Sequence, residues 1–264
     1  MFSAGDAYER FMGRWSRTLA VPFVQFAGVQ SGDSVLDVGS GTGAVTAAVA
    51  ALSPASHIVG IDPAAALVNF AQAHHAGDLI RFEVGDAQQL RFPDRSFART
   101  LSLLNLNFIP DPGKAIQEMS RVTQPGGTVA AAVWDYGKGM EMLRAFWDEA
   151  VALNANADAG DERHMPFSAE GELREFFREQ EFDQISSEAL TVETRFSSFD
   201  DYWLPFLQKQ GPAGAYAASL PAAEIEALRE RLRRRFLGDG SDGAIVLRAR
   251  AWAVRGMLPQ DRMR

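Results

Sequence analysis

The chain has 264 residues, 47% of them hydrophobic and 23% charged, with a net charge of −8 and no cysteine. That balance suits a globular α/β domain with a sizeable core. It excludes a disordered chain, a disulfide framework, thiolate catalysis and Cys-ligated zinc. The acidic excess opposes a nucleic-acid partner, because phosphates are repelled on average, and a cysteine-free chain fits a reducing cytoplasm.

Residues 1–17 scatter Asp6, Glu9, Arg10, Arg14 and Arg17 among apolar residues, so no signal peptide is expected there. The apolar runs 44–52 and 129–134 fall short of the ~18–20 residues that span a bilayer, so no membrane insertion is expected. Residues 8–28 read as a helical cap. Residues 34–38 (SVLDV) read as a strand, bracketed by Gly32-Asp33 and a glycine cluster. A helix over 44–52 and a strand over 57–61 follow, with His57 expected inside the core. Pro63 suits a first helical position, and the helix continues over 64–75. Strands are expected over 79–84 and, after the turn at Pro93-Asp94, over 97–103. A helix over 112–123 is stopped by Pro125-Gly126-Gly127, and 128–134 form a fifth strand. Strands that alternate with helices and are apolar on both faces predict a parallel sheet covered on both sides, with ligands at the carboxyl ends of its strands.

The second half changes character. Helices are expected over 136–157, 168–179, 198–208 and 222–236, and strands over 182–194 and 245–254. In the last, Val246, Arg248, Arg250, Trp252 and Val254 alternate. The expected class is α/β: a doubly wound, mostly parallel seven-stranded sheet of Rossmann-like type with helical lid insertions. The expected organisation is one domain over 1–264. Residues 1–28 are its cap, 29–136 the binding core, and 137–181 a helical lid segment. Residues 182–195 and 243–256 are the last two strands, and 196–242 a lid insertion between them. No internal repeat is present.

The strongest signal is the run from Val35 to Gly43, VLDVGSGTG, in which a strand passes through glycines directly into a helix. Gly39 and Gly41 let the backbone turn sharply and approach a ligand without a Cβ in the way. The helix start that follows offers N–H groups and partial positive charge to an anion. The spacing is G-x-G-x-G with Asp37 two positions earlier, not the dinucleotide pattern G-x-G-x-x-G. A tight strand–helix turn without a ligand is the bland alternative. Asp62 ends the second strand about twenty residues on, where an acid accepts from both hydroxyls of a ribose; helix capping is its structural alternative. In Val84-Gly85-Asp86-Ala87-Gln88, Asp86 and the Ala87 N–H suit an adenine edge, and an Asx turn is the competing reading.

The order LDVGSGTG, GIDP, VGDAQQLRFPDRSF, LNFIPDP and EMSRVTQPGG resembles the class I methyltransferases that use S-adenosylmethionine (SAM). Within them it is similar to the type 11 branch, near the ubiquinone and menaquinone biosynthesis methyltransferases. The resemblance is good over 8–134 and holds in outline beyond 135. It implies SAM as methyl donor, S-adenosylhomocysteine as product and a small-molecule acceptor, in a monomer or homodimer. Gly39, Ser40, Gly41 and Gly43 would line the methionine part, supported by Asp37. Asp62 would hold the ribose beside Pro63. Asp86 and Ala87, with Gln88 adjacent, would hold the adenine. Leu104 and Asn105 would pass under the cofactor, and Tyr8, Arg14 or Trp15 would close over it. Many relatives have Cys at Ser40, and many have a His pair where Asn107 and Phe108 stand here, which leaves a proton-handling role at that place in doubt.

Methyl transfer needs a base only when the acceptor must lose a proton. Candidates are Asn107, Asp135, Tyr136 and His164; the start of a turn is the structural alternative for Asp135 and Tyr136, and an exposed loop is the ordinary setting for His164. His74 and His75 end a helix, where cations suit the dipole. Aromatic residues crowd the second half, among them Phe146, Trp147, Phe196, Tyr202, Phe206 and Tyr216. As a group they favour an apolar or aromatic acceptor, although each one alone reads as core. Arg229, Arg231, Arg233, Arg234 and Arg235 read as a solvated helix face, with Glu230 four residues before Arg234. No metal site is expected. The competing functions are an NAD-dependent oxidoreductase and a non-catalytic SAM-binding protein.

Overall fold

Short β-rich runs bracketed by glycine or proline become the strands of one sheet. The protein is described by a computed structural model, which covers residues 9–180 and 182–260. β1 (Ser34–Val38), β2 (His57–Asp62), β3 (Ile80–Val84), β4 (Phe97–Leu103) and β5 (Thr123–Trp134) are parallel. β7 (Ile245–Met257) runs antiparallel between β5 and the edge strand β6 (Asp183–Phe196). The order in this seven-stranded sheet is β3-β2-β1-β4-β5-β7-β6.

The helices are α1 (Arg14–Ala27), α2 (Ala44–Leu52), α3 (Ala65–His75), α4 (Pro112–Val122), α5 (Glu141–Leu153), α6 (Glu172–Arg178), α7 (Phe199–Trp203), α8 (Gly211–Ser219) and α9 (Ala222–Leu237). α1 buries Trp15, Leu19, Phe23 and Ala27, one stripe at four-residue spacing, and ends where Gly28 turns left-handed at φ 69°. It packs on α2 and across the sheet. A π-helical turn, Glu9–Gly13, precedes it. The central strands are covered on both faces, whereas β3 buries only Phe82 fully. β6 alternates buried and exposed residues from Leu190 to Phe196, as edge strands do.

Several local expectations are corrected. Pro63 lies before α3, which Ala64 caps in an extended conformation. His57 opens β2 on the surface and is exposed. Pro125-Gly126-Gly127 does not separate helix from strand but lies inside β5. That strand begins at Thr123 opposite Phe97 and shifts register before Arg99 pairs with Thr128. The helix expected over 136–157 is confined to α5, because Asp135 holds a turn: its Oδ1 accepts from Lys138 N and its carbonyl from Gly139 N and Met140 N. The helix expected over 168–179 contracts to α6, and that over 198–208 becomes α7 plus a 3-10 turn, Leu204–Gln208, with Pro205 at its start. α8 was not foreseen, since its Gly-Pro start reads as a loop.

The helices between β6 and β7 join α5 through a buried aromatic cluster. Phe146 stacks on Phe206 with centroids 4.5 Å apart, and Tyr202 lies 5.4 Å from both Phe196 and Phe206. The Tyr202 hydroxyl donates to the Met142 carbonyl at 3.0 Å. Phe11 and Trp15 meet the cluster edge-on at Phe206 and Phe196, at 5.5 and 5.1 Å. These aromatics are thus core. Below them Arg144 and Arg163 both pair with the buried Asp161. Glu162 accepts from Trp147 Nε1 and Ala213 N, and burial pushes its carboxyl up to about 7. The arginines of α9 are engaged as well: Arg231 and Arg235 pair with Glu149, and Arg229 with Glu226, Glu230 and Asp200. The expected partner of Glu230 was Arg234; the pairing is instead with Arg229.

Phe206→Ala is expected to lower the unfolding free energy by about 3–5 kcal/mol, the usual cost of emptying a fully buried phenylalanine site. Urea unfolding followed by tryptophan fluorescence measures this, and a loss below about 1 kcal/mol would contradict the central place of the cluster.

Candidate functional site

Strand order reverses between β1 and β4. β2 and β3 are laid down on one side of β1, then the chain returns to the other side at β4. The connections leaving the carboxyl ends of β1 and β4 therefore diverge, and a crevice opens between them. The loop from Gly39 to Gly43 forms one wall, and Leu104 and Asn105 form the other.

The glycine loop has little freedom. Gly39, Gly41 and Gly43 have φ of 77°, 53° and 93°. A Cβ at Gly39 would stand 2.2 Å from Asn105 Cγ, and one at Gly43 would stand 2.7 Å from His75 Cδ2. At Gly41 a Cβ would meet nothing within 4 Å, so the crest of the loop faces open space. Gly39 N and Ser40 N both donate to the Ile61 carbonyl at 2.8 Å, which ties the loop to the end of β2. The residue before α2, Gly43, has no side chain to cap it. Asp37 takes the Thr46 N–H, which among the described residues leaves the N–H groups of Ala44 and Val45 to an anion. Ser40 is buried and its Oγ has no partner among the described residues.

Two acids brace the loop from behind. Asp62 Oδ2 accepts from Gly41 N at 3.0 Å and Oδ1 from Ala64 N at 2.8 Å. Burial pushes its carboxyl upward against those hydrogen bonds. Asp37 Oδ2 accepts from Thr46 Oγ1 at 2.8 Å and Thr46 N at 3.2 Å, while its Oδ1 has no hydrogen-bond partner among the described residues. Full burial pushes Asp37 up to about 7.

The other side chains of interest divide clearly. Asp86 is exposed and its Oδ1 accepts from Gln88 N at 2.8 Å, the geometry of an Asx turn. Ala87 is buried, and Gln88 Oε1 accepts from Asp111 N at 3.2 Å. Pro63 is exposed. Leu104 has φ 60° and donates its N–H to the Ala132 carbonyl at 2.7 Å. Asn107 is buried beside Met165, 3.9 Å from Nδ2 to Sδ, and its Oδ1 has no hydrogen-bond partner among the described residues. Asp135 pairs with Arg250 at 2.5 Å and holds the turn after β5, so it is a structural acid. Tyr136 is buried. His164 is exposed and lies 3.4 Å from Asp158.

Tyr8 lies outside the described residues. Arg14 and Trp15 are turned toward the second half of the chain. Arg14 pairs with Asp201 at 2.9 Å and lies 4.2 Å over the Trp15 ring, and Trp15 packs against Phe196. Among the described residues of this segment, Glu9 reaches the loop: it accepts from Thr42 Oγ1 and pairs with Arg17. From the other side His75, half-buried, bonds the Thr42 backbone; burial and the neighbouring His74 hold its pKa below the usual imidazole value. Neither contact has a sequence signal, since Glu9 is one acid in an amphipathic run and His75 reads as a helix-end cation. Among the described residues no cluster of three or more His, Cys, Asp or Glu could hold a metal. No helix there is long and apolar enough to cross a membrane.

Residues 36–131 match the family model described as a methyltransferase domain. The ubiquinone/menaquinone biosynthesis C-methyltransferase UbiE of Bdellovibrio bacteriovorus is 35% identical over 108 residues, 40% of this chain and 46% of that protein. The chain thus aligns with about half the length of that relative. An uncharacterized Mycobacterium bovis protein is 27% identical over 252 residues, covering 91% of this chain and 88% of its own. Among solved structures, phosphoethanolamine N-methyltransferase 2 of Haemonchus contortus, in complex with phosphomonomethylethanolamine and S-adenosylhomocysteine, superposes with a TM-score of 0.57 at 16% identity. That match covers 98% of this chain and 61% of the other, and at such identity it establishes the fold.

Because Asp37 stays protonated only in the folded state between the ordinary carboxylate range and about 7, folding takes up a proton there. The contribution of Asp37 to stability is therefore full below about pH 4 and declines as pH rises to about 7. Asp37→Asn removes this dependence. In urea titrations from pH 4 to 8 the variant should gain on the wild type with rising pH, by on the order of a few kcal/mol. A constant difference across that range would show that Asp37 titrates normally.

Proposed function

We propose that the chain, whose residues 36–131 match a methyltransferase domain, is a class I SAM-dependent methyltransferase of the type 11 family that methylates a small apolar or aromatic acceptor with SAM as donor. The observation that carries the reading is the open crest at Gly41, set over the start of α2 and beside Asp62. That cradle suits a ligand with a carboxylate at one end and a ribose behind it. The unpartnered Ser40 Oγ adds a polar contact that the protein itself does not use.

When bound, SAM supplies a methyl group on a positively charged sulfur that departs as a neutral thioether. The protein's task is then to bind, align and exclude water. Gly39, Ser40, Gly41 and Gly43 would hold the amino-acid end, and Asp62 the ribose through lone pairs not used by Gly41 and Ala64. Ala87, with Asp86 and Gln88, would flank the adenine. Leu104 and Asn105 would form the floor.

The acceptor side would lie past β4, around Asn107, the half-exposed Phe108 and Met165. Asn107 Oδ1 is a buried acceptor without a donor, and it suits the O–H or N–H of an otherwise apolar molecule. An amide orients such a group but does not take its proton. Asp135 is committed to Arg250 and His164 is exposed, which supports chemistry that needs no strong base from this set.

Calorimetric titration with S-adenosylhomocysteine and NADH tests the cofactor. The first should bind and the second should not, and Asp62→Ala should weaken binding by roughly 10–100-fold, as loss of a charged hydrogen-bonding group does. Binding of NADH alone would replace this reading with an oxidoreductase. A screen in which only highly charged acceptors are methylated would refute the acceptor class, and SAM binding without turnover of any acceptor would leave a non-catalytic SAM-binding protein.

A further inference from the structure

We propose that Glu9 is a cofactor-binding residue that holds the α-ammonium of the cofactor's amino-acid end; this rests on the SAM reading above. Its side chain is only 13% exposed, and it contacts the glycine loop at Thr42, whereas Asp62 bonds Gly41 N and Asp37 bonds Thr46. Oε1 accepts from Thr42 Oγ1, two residues before α2 begins, and Oε2 faces Arg17.

A largely buried carboxylate is costly without a strong counter-charge. Thr42 needs only an acceptor, which a neutral amide would supply equally well. Arg17 is 52% exposed, and an ion pair so solvated gives little back. The charge at Glu9 is therefore under-used by the protein's own contacts. Each carboxylate oxygen has two acceptor positions, so one on each remains after Thr42 and Arg17.

An amino-acid end brings both signs into this space. Its carboxylate suits the start of α2, and its ammonium then needs an acid alongside. Asp37 lies behind the loop on Thr46, and Asp62 is engaged by the Gly41 and Ala64 N–H groups. Of the acids that touch the loop, Glu9 is the one that approaches from the N-terminal segment. Phe11, two residues on, packs against Phe206, so ammonium binding at Glu9 also ties the helical cap to the cofactor.

The test compares S-adenosylhomocysteine with its analogue lacking the α-amino group, by calorimetry on wild type and Glu9→Gln. Wild type should bind the intact molecule at least about tenfold tighter. Glu9→Gln should lose about tenfold for the intact molecule and leave the deaminated analogue within about twofold, so the preference collapses. The preference is a ratio on one protein sample, which cancels any partly unfolded fraction. Equal weakening of both ligands would mean that Glu9 only braces the loop, and unchanged or tighter binding of the intact molecule would overturn the proposal directly. Equal affinity of wild type for the two ligands would overturn it without any variant. Wild type that binds neither removes the SAM reading, and this inference with it.

Discussion

The crevice depends on one close approach, that of the Gly39 backbone to Asn105 at the point where strand order reverses. β1 and β4 are neighbours, so the loops leaving them compete for the same space. The conflict is resolved by a residue with no Cβ and a left-handed φ on one side and a short amide on the other. A larger residue at Gly39 would push the loop from Asn105 and from the Ile61 carbonyl together. The spacing of Gly41 and Gly43, and hence the start of α2, follows from that first turn.

The acids around the loop have separate physical tasks. Asp37 is fully buried, engaged by Thr46 and pushed toward its neutral form, so it acts as a hydrogen-bonding strut. Asp62, less deeply enclosed, fixes two backbone N–H groups with lone pairs to spare. Glu9 reaches the loop at Thr42 and keeps a counter-ion that is half in solvent. Three carboxylates near one loop would repel one another if all were charged. Burial of Asp37 lowers the charge density where the loop is tightest.

The helical cap is held by different forces. Stacked aromatics and the buried Asp161 group join α5, the 3-10 turns after it, and α7 to α9. Glu162, pushed up to about 7, takes the Trp147 N–H and the Ala213 N–H that would otherwise lie buried without partners. α5 and α6 pack directly on β7, and Phe11 and Trp15 meet this layer edge-on at Phe206 and Phe196. The aromatics that make the sequence look rich in binding surface are largely consumed by this packing.

Most of the sheet was legible in the sequence, because the central parallel strands are apolar runs bounded by glycine or proline and buried on both faces. The glycine loop was legible for the same local reason: left-handed turns select glycine, and their spacing fixes where the helix begins. Regions where side chains from distant segments set the backbone were not legible. Pro125-Gly126-Gly127 reads as a helix stop, yet β4 draws it into β5. Residues 136–157 read as one helix, yet Asp135, held by Arg250, opens a turn there. The roles of Glu9 and His75 at Thr42 are tertiary too, since neither residue carries any periodicity that points to the loop. The sequence alone determined the strand–loop–helix unit and the class of ligand it suits, because those depend on backbone conformation and neighbouring residues. Only the tertiary structure decided which acids bond the loop and which aromatics are core, because those depend on packing between residues far apart in the chain.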